Sequence, residues 1–238
     1  MGSIICFGQY NTNNQFINRD ELQGRTFNSY LAKHLWQKFK NRQLQETDIV
    51  SACSTGQIHI VRSLVHRGCN VNHKINGWTG LLEICKSSNL VSYEIRMEIV
   101  KILIEQNANI NTRNECNWTP LLFATKSSNY NLVCLLLENN AQINCQNTIG
   151  YTPIMYACEN NDYISLKVLL NKSKDIPDLT IKNYKSDKIV WDYVIKGSRC
   201  ERYLMKYSNK YINNILNSTN KYLCPDISFI ICDYLAYY

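Results

Sequence analysis

One seven-residue pattern occurs twice in this chain, about 33 residues apart, and constrains the fold more than any other feature. Residues 118–124 read Trp-Thr-Pro-Leu-Leu-Phe-Ala, and residues 151–157 read Tyr-Thr-Pro-Ile-Met-Tyr-Ala. In the same register, apolar helical stretches give way to asparagine-bearing loops at 68–72, 107–111 and 140–144. A fixed period of this length is typical of repeat proteins, whose units bury apolar surface only by stacking on their neighbours. The sequence therefore predicts a repeat array.

The Thr-Pro-Leu-x-x-Ala core, with its period of about 33 residues, resembles the ankyrin repeat, which consists of a turn and two antiparallel helices. The resemblance implies an all-α ankyrin-repeat solenoid. Its register places the motif threonine at Thr47, Thr79, Thr119 and Thr152, and a degenerate copy at 187–194. Threonine favours a helix N-cap and proline favours the first turn, so each motif predicts the start of a helix. We therefore expect four clear repeats and one degenerate repeat.

The register also predicts how the chain is divided. Repeats are expected over 47–208, with approximate bounds 47–76, 77–116, 117–149, 150–186 and 187–208. A flexible tail at 1–24 and an amphipathic capping helix at 25–46 precede them, and C-terminal helices at 209–238 follow. The step from Thr79 to Thr119 is about seven residues longer than the period. Insertions in repeat arrays map to loops, so we expect a longer turn around 89–96, between the two helices of the second repeat.

The sequence offers no recognisable reacting group, and we expect neither catalysis nor a cofactor. It has no nucleophile elbow, glycine-rich phosphate loop or His-Glu-x-x-His motif. The 11 cysteines contain no Cys-x-x-Cys pair and the 4 histidines do not cluster, which argues against a metal site. Cys53, Cys85 and Cys158 share one repeat position, where a small apolar core residue belongs. Reduced cysteines of this kind predict a cytoplasmic or nuclear protein.

Composition limits the classes of partner. The net charge of +7 is distributed along the chain and no nucleic-acid module is recognisable, so no nucleic acid is expected as a partner. No apolar run approaches the roughly 20 residues that a membrane-spanning helix needs. A monomer is expected.

Ankyrin arrays usually bind proteins on their concave face, which the loop tips and the inner helices line. The resemblance therefore implies that an unknown target protein binds to loop residues at equivalent positions. These residues are His73, Lys74, Trp78, Arg113, Glu115, Trp118, Gln146 and Tyr151. Trp78, Trp118 and Tyr151 are expected to form an aromatic ladder, since large amphipathic rings are favoured anchors of interfaces. The alternative is that these rings only cover the junctions between repeats.

The first residues resemble an N-myristoylation site. Met1-Gly2-Ser3-Ile4-Ile5-Cys6 carries the required Gly2, although Cys6 stands where serine or threonine is preferred. A single myristoyl chain binds membranes weakly, so stable attachment would need palmitate on Cys6 as well. Association with a membrane is expected only if Gly2 and Cys6 are acylated. The alternative is an unmodified tail.

The last residues resemble the start of an F-box, Leu-Pro-x-Glu-Ile-x-x-x-Ile-x-x-x-Leu. The matching residues are Leu223, Asp226, Ile227, Ile231 and Leu235, while Pro225 comes one residue later than in the motif. A truncated F-box behind an ankyrin array is the arrangement of poxvirus ankyrin proteins. The resemblance implies an adaptor that links a bound target to the Skp1 subunit of a cullin ubiquitin ligase in an infected host cell. The alternative is a binding module or sequestering inhibitor whose C-terminal helix only caps the repeats.

Overall fold

The fold is a stack of helix pairs. The computed structural model describes residues 47–86 and 91–218, with side chains described at 49–86 and 91–210. Within these ranges the regular structure is helical. Four pairs are formed by α1 (Thr47–Thr55) and α2 (Ile58–His66), α3 (Gly80–Cys85) and α4 (Tyr93–Glu105), α5 (Pro120–Lys126) and α6 (Tyr130–Glu138), and α7 (Pro153–Glu159) and α8 (Tyr163–Lys172). The predicted all-α repeat solenoid is confirmed.

The motif threonines start the first helices as the sequence predicts. In three repeats the threonine hydroxyl oxygen accepts a hydrogen bond from the backbone N–H three residues later. The bonds join Leu82 to Thr79 at 3.3 Å, Leu122 to Thr119 at 3.3 Å and Met155 to Thr152 at 3.2 Å. Gly80 stands where the third and fourth repeats have Pro120 and Pro153, and the cap at Thr79 forms nevertheless.

A shared apolar core runs through the stack. Successive first helices pack on one another, and the second helices form a second layer behind them. Cys53, Cys85 and Cys158 are fully buried at equivalent places, as their repeat position predicted. Burial raises the pKa of the Cys53 thiol to about 12 and raises the pKa values of Cys85 and Cys158 as well. These thiols are therefore protonated core groups at neutral pH.

An asparagine ladder, defined by Asn72, Asn111 and Asn144, joins each repeat to the next. Each side chain donates to one backbone carbonyl of the following repeat and accepts from one of its backbone N–H groups. The partners are Asn107 O (3.1 Å) and Asn109 N (2.7 Å) for Asn72, Asn140 O (3.1 Å) and Gln142 N (2.8 Å) for Asn111, and Ile176 O (2.9 Å) and Asp178 N (2.9 Å) for Asn144. The asparagine-bearing loops thus carry the hydrogen bonds between repeats.

The surplus residues of the second repeat are divided between a loop and a helix. Seven residues separate α3 from α4, and α4 has 13 residues where α2 and α6 have 9 each. The prediction of a turn up to residue 96 was therefore wrong for Tyr93–Arg96, which are helical. Ser92 caps this helix through a bond from Ile95 N at 3.4 Å, and Val91 is buried against Gly56. Apolar residues that find a packing surface extend a helix where register alone indicates a turn.

The fifth unit is degenerate in shape as well as in sequence. Its first helix is a single 3-10 turn, Val190–Tyr193, in which Asp192 accepts a hydrogen bond from Ile189 N at 2.9 Å. The last helix, α9, spans Arg199–Ser218 and runs across the expected boundary at 208/209. Cys200 and Leu204 of α9 are fully buried beside α8, so this helix covers the C-terminal side of the fourth pair.

Several sequence predictions lie outside the described residues. They are the tail at 1–24, the capping helix at 25–46, the acylation sites Gly2 and Cys6, and the F-box-like residues 223–235. Among the helices that the structure describes, none is long and apolar enough to cross a membrane.

Candidate protein-binding surface

Hydrogen-bonded loops hold the aromatic residue in front of each motif threonine. Asn114 and Asn147 are buried, and the side-chain oxygen of each accepts two backbone N–H groups of its own loop. The second of these bonds comes from the backbone N–H of Trp118 (2.9 Å) or Tyr151 (3.0 Å). The position of each aromatic residue is therefore fixed by its loop before the helix begins.

The second repeat reaches the same geometry with a tighter turn. Ile75 and Trp78 exchange two backbone hydrogen bonds of 2.9 Å, and Asn76 and Gly77 between them have φ values of 50° and 79°. Two successive positive φ angles define a type I′ turn, which the Asn-Gly pair favours. Trp78 consequently occupies the place that Trp118 and Tyr151 occupy in the following repeats.

Six aromatic rings form a continuous column along the first helices and the residues that precede them. The aromatic column consists, in spatial order, of Trp78, Phe123, Trp118, Tyr156, Tyr151 and Tyr193. Successive ring centroids lie 5.7, 4.7, 5.5, 4.7 and 5.1 Å apart. These separations are those of interacting aromatic pairs. The column therefore continues from the second repeat to the fifth.

The three rings predicted to form an aromatic ladder belong to one column, but they do not contact one another directly. Trp78, Trp118 and Tyr151 contact one another only through first-helix rings, because Phe123 and Tyr156 lie between them. Sequence reasoning missed Phe123, Tyr156 and Tyr193 as members. Phe123 and Tyr156 each stand four residues after a capping threonine, and that shared position was the available signal.

Charged side chains accompany the column at one repeat position, seven residues after the capping threonine. The Lys86 ammonium lies 4.8 Å from the Trp78 ring centroid, and the Lys126 ammonium lies 4.8 Å from that of Trp118. In the fourth repeat the equivalent residue is Glu159, whose carboxylate accepts a hydrogen bond from the Tyr151 hydroxyl at 3.4 Å. All three charged residues are exposed. The column is thus basic beside its earlier repeats and acidic beside the fourth.

Burial and neighbouring groups also affect the tyrosines of the column. Burial, a hydrogen bond with Tyr193 and the charge of Glu159 raise the pKa of Tyr151. Burial raises the pKa of Tyr156, while the hydrogen bond that Asn147 donates to its hydroxyl at 3.0 Å acts in the opposite direction. Both hydroxyls stay protonated at neutral pH and can act as hydrogen-bond donors.

Other predicted contact residues link neighbouring loop tips. The Lys74 ammonium donates to the carbonyl oxygen of Arg113 at 3.0 Å. Gln146 Nε2 donates to the carbonyl oxygen of Lys182 at 3.0 Å, and Tyr184 donates to Gln146 Oε1 at 2.8 Å. Lys74 and Gln146 therefore hold the loops together.

The remaining predicted residues occupy the same tips. His73 and Arg113 are partly buried, whereas Glu115 is exposed and lies over Gly77. The binding of a partner by any of the eight predicted residues stays a prediction. Within the described ranges, no group of three His, Cys, Asp or Glu residues is arranged to hold a metal ion.

Stacked helix pairs, joined by hydrogen-bonded loops in one register, define a helical-repeat solenoid. The family model described as ankyrin repeats (3 copies) matches residues 49–147 and 90–183, which together exceed half of the chain. The chain belongs to the ankyrin-repeat family. Ankyrin repeats indicate a protein–protein interaction module, and proteins of this family are generally non-catalytic scaffolds. A search of curated proteins found no match to the chain.

Proposed function

We propose that this chain is a non-catalytic scaffold that holds a target protein on its concave face, with the aromatic column as the main contact. The observation that carries this proposal is the continuity of the column over four repeats. Trp78, Trp118 and Tyr151 are only partly buried, so their rings remain available to a partner. Rings of this kind contribute a large share of binding energy when a partner excludes water from them.

The charges beside the column indicate which side chains a target would present. Lys86 and Lys126 favour carboxylates next to the two tryptophans, and Glu159 favours a cation or a hydrogen-bond donor beside Tyr151. Charge complementarity at the edge of an interface selects partners and fixes their orientation. We therefore propose a target segment with apolar side chains over the rings and acidic residues toward the second and third repeats.

Charge reversal tests the target-binding proposal. Proteins captured by the full chain are identified by mass spectrometry, and the affinity of a purified candidate is then measured for Lys86→Glu/Lys126→Glu and for Lys101→Glu/Lys167→Glu. Both variants change the net charge equally, and Lys101 and Lys167 are exposed residues of second helices, outside the column and the loop tips. We expect at least a tenfold loss of affinity for the first variant and less than a twofold change for the second. Equal losses would assign the binding to general electrostatic attraction.

We further propose that the chain is a substrate adaptor that links its target to a cullin ubiquitin ligase through Skp1. Support comes from the F-box-like spacing of Ile227, Ile231 and Leu235. A second support is that α9 already gives the array a polar end, with Arg202 and Lys206 exposed and Leu204 buried. Terminal units of repeat proteins need such an outer face. A separate cap at 223–235 is then not required.

The competing function is a binding module or sequestering inhibitor in which the C-terminal segment only covers the array. Co-precipitation with Skp1 separates the two, using the full chain, a truncation after Lys221 and the point variant Ile231→Asp. The adaptor requires a Skp1 signal from the full chain that both changes abolish. Absence of that signal from the full chain would leave the inhibitor as the function.

We also propose that the protein acts as a monomer in the cytoplasm or nucleus of an infected host cell. The eight cysteines within the described ranges form no disulfide, which supports a reducing compartment. Membrane association is proposed only for a form acylated at Gly2 and Cys6. The intact mass of the protein purified from eukaryotic cells measures acylation directly, and imaging of a C-terminal fluorescent fusion gives the location.

A further inference from the structure

A basic recess of about 390 Å³ lies between α8 and α9, and none of its lining residues belongs to the aromatic column. It is lined by Tyr163, Arg199, Arg202, Tyr203 and Lys206. The rings of Tyr163 and Tyr203 meet edge to face with centroids 5.4 Å apart, and Asn171 donates to the Tyr203 hydroxyl at 2.6 Å. The recess therefore has two fixed aromatic walls and three cations.

The three cations have no acidic partner among the described residues. Arg202 donates only to the carbonyl oxygen of Ser198, at 3.4 Å, and no described carboxylate lies within ion-pair distance of Arg199, Arg202 or Lys206. The nearby Glu201 accepts a hydrogen bond from Gly197 N and so belongs to the helix cap. The guanidinium and ammonium groups consequently face the recess with unused donors.

This arrangement is unfavourable for the helix itself. Arg199, Arg202 and Lys206 follow one another at spacings of three and four residues, which bring like charges together on one helix face. Arg199 and Arg202 also lie in the first turn of α9, where the helix dipole disfavours cations. A bound anion removes both costs. Arg202 and Lys206 supply the polar end of the array, and a bound anion would offset the cost of placing them beside Arg199.

We propose that this recess binds a phosphomonoester carried by a side chain of a partner protein. Two guanidinium groups and one ammonium group match a phosphate dianion, because arginine donates paired hydrogen bonds to phosphate oxygens. The Tyr163 and Tyr203 rings contact the apolar part of the phosphorylated side chain. The site is independent of the concave face, so the protein holds a phosphorylated partner on one surface and its target on another.

A longer polyanion is the main competing occupant, since Lys210 continues the basic side of α9 beyond the recess. Nucleic-acid affinity grows with the number of phosphates that a protein contacts, whereas this open recess gathers its three cations around one position. The two tyrosine rings beside the cations favour a single phosphate carried on an apolar side chain. The two occupants are distinguished by which probe the recess binds more tightly, a phosphomonoester or a polyanion.

The test is a titration of the full-length, ¹⁵N-labelled chain with phenyl phosphate and with O-phosphoserine, followed through backbone amide signals of α9. Phenol and serine are the unphosphorylated comparisons, and a single-stranded 12-nucleotide DNA and phosphatidylserine vesicles are the polyanionic ones. We expect saturable binding of both phosphates with a Kd in the millimolar range, and no binding of phenol or serine. Arg199→Gln/Arg202→Gln/Lys206→Gln is expected to weaken phosphate binding at least tenfold.

The matched control is Lys101→Gln/Lys185→Gln/Lys188→Gln, which removes the same charge from exposed positions outside the recess. It is expected to keep the phosphate affinity within twofold. Equal weakening in both variants, or unchanged affinity in the recess variant, would overturn the proposal. DNA or vesicle binding that depends on the three recess cations and is tighter than phosphomonoester binding would also overturn it.

Discussion

The Lys126 ammonium lies 4.8 Å from the centre of the Trp118 ring, and one repeat earlier Lys86 and Trp78 repeat this distance. In each pair the tryptophan precedes the capping threonine and the lysine lies at the end of the same helix. The two pairs therefore share one local geometry. Cation–π contacts at exposed sites contribute about 0.5–1 kcal/mol each. Their larger consequence is to place positive charge beside the exposed edges of the aromatic column.

The asparagine ladder predicts a specific loss of stability. Replacing Asn111 by alanine removes two hydrogen bonds between repeats, to Asn140 O and from Gln142 N. Each such bond contributes about 0.5–1.5 kcal/mol, so Asn111→Ala is expected to lower the free energy of unfolding by about 1–3 kcal/mol. Urea denaturation measures the change. Asn131→Ala in α6 removes no hydrogen bond that the structure records, and a similar loss there would contradict the role of the ladder.

Two glycines provide a matched test of contacts between repeats. Gly68 and Gly150 both have positive φ, at 77° and 86°, but a Cβ at Gly68 meets nothing within 4 Å. A Cβ at Gly150 would lie 2.3 Å from Tyr184 N in the next repeat. Gly68→Ala is expected to cost about 1–2 kcal/mol of backbone strain. Gly150→Ala should add about 1–3 kcal/mol of overpacking. Urea denaturation measures both costs, and equal values would mean that the two repeats do not approach so closely.

The buried thiols predict a loss of stability in alkali. The pKa of Cys53 rises from its ordinary value of 9.0 to about 12 on folding, so between pH 9 and 12 the unfolded thiol ionises and the folded one does not. Ionisation therefore favours unfolding, and the stability present below pH 9 declines by up to about 1.4 kcal/mol per pH unit for each such group. Urea unfolding at pH 8, 9 and 10 measures this slope. Cys53→Ala should make it shallower, whereas an unchanged slope would exclude the thiol as its source.

Cysteine accessibility predicts an order of chemical modification. Cys116 is exposed, whereas Cys53, Cys85 and Cys158 are buried with raised pKa values. Thiolates, not thiols, react with alkylating agents. Iodoacetamide at pH 8 should therefore label Cys116 rapidly and the other three only after unfolding in urea. Peptide mapping gives the order, and early labelling of Cys85 would indicate that the second repeat opens in the native state.

The sequence predicted the parts of the fold that depend on local rules. Thr119 and Thr152 cap their helices because a threonine hydroxyl satisfies a free backbone N–H wherever that helix begins. The helical extension at Tyr93–Arg96 was not predictable from register, because it depends on Val91 packing against another repeat. A helix cap can be predicted from the sequence of one repeat, whereas a packing contact between repeats depends on at least two.

The candidate site was predictable to a similar extent. Aligned sequence positions gave three members of the column directly, namely Trp78 and, in the next two repeats, Trp118 and Tyr151. The insertion of Tyr156 between the last two depends on the offset between neighbouring repeats, which a single sequence does not specify. Gln146 was predicted to contact a partner because of its loop position, yet its amide donates a hydrogen bond to the next loop tip. Repeat position therefore predicted which loop residues share the aromatic column better than it predicted the contacts of each side chain.

Site-specific photocross-linking in cells tests the central claim most directly. A benzoylphenylalanine residue is placed at Lys86 or Lys126 beside the aromatic column, and at Lys101 on the exposed side of α4 as the control. The account predicts one covalent adduct with the same protein from both column positions and none from Lys101. Adducts from Lys101 alone, or the same adduct from all three positions, would contradict binding on the concave face.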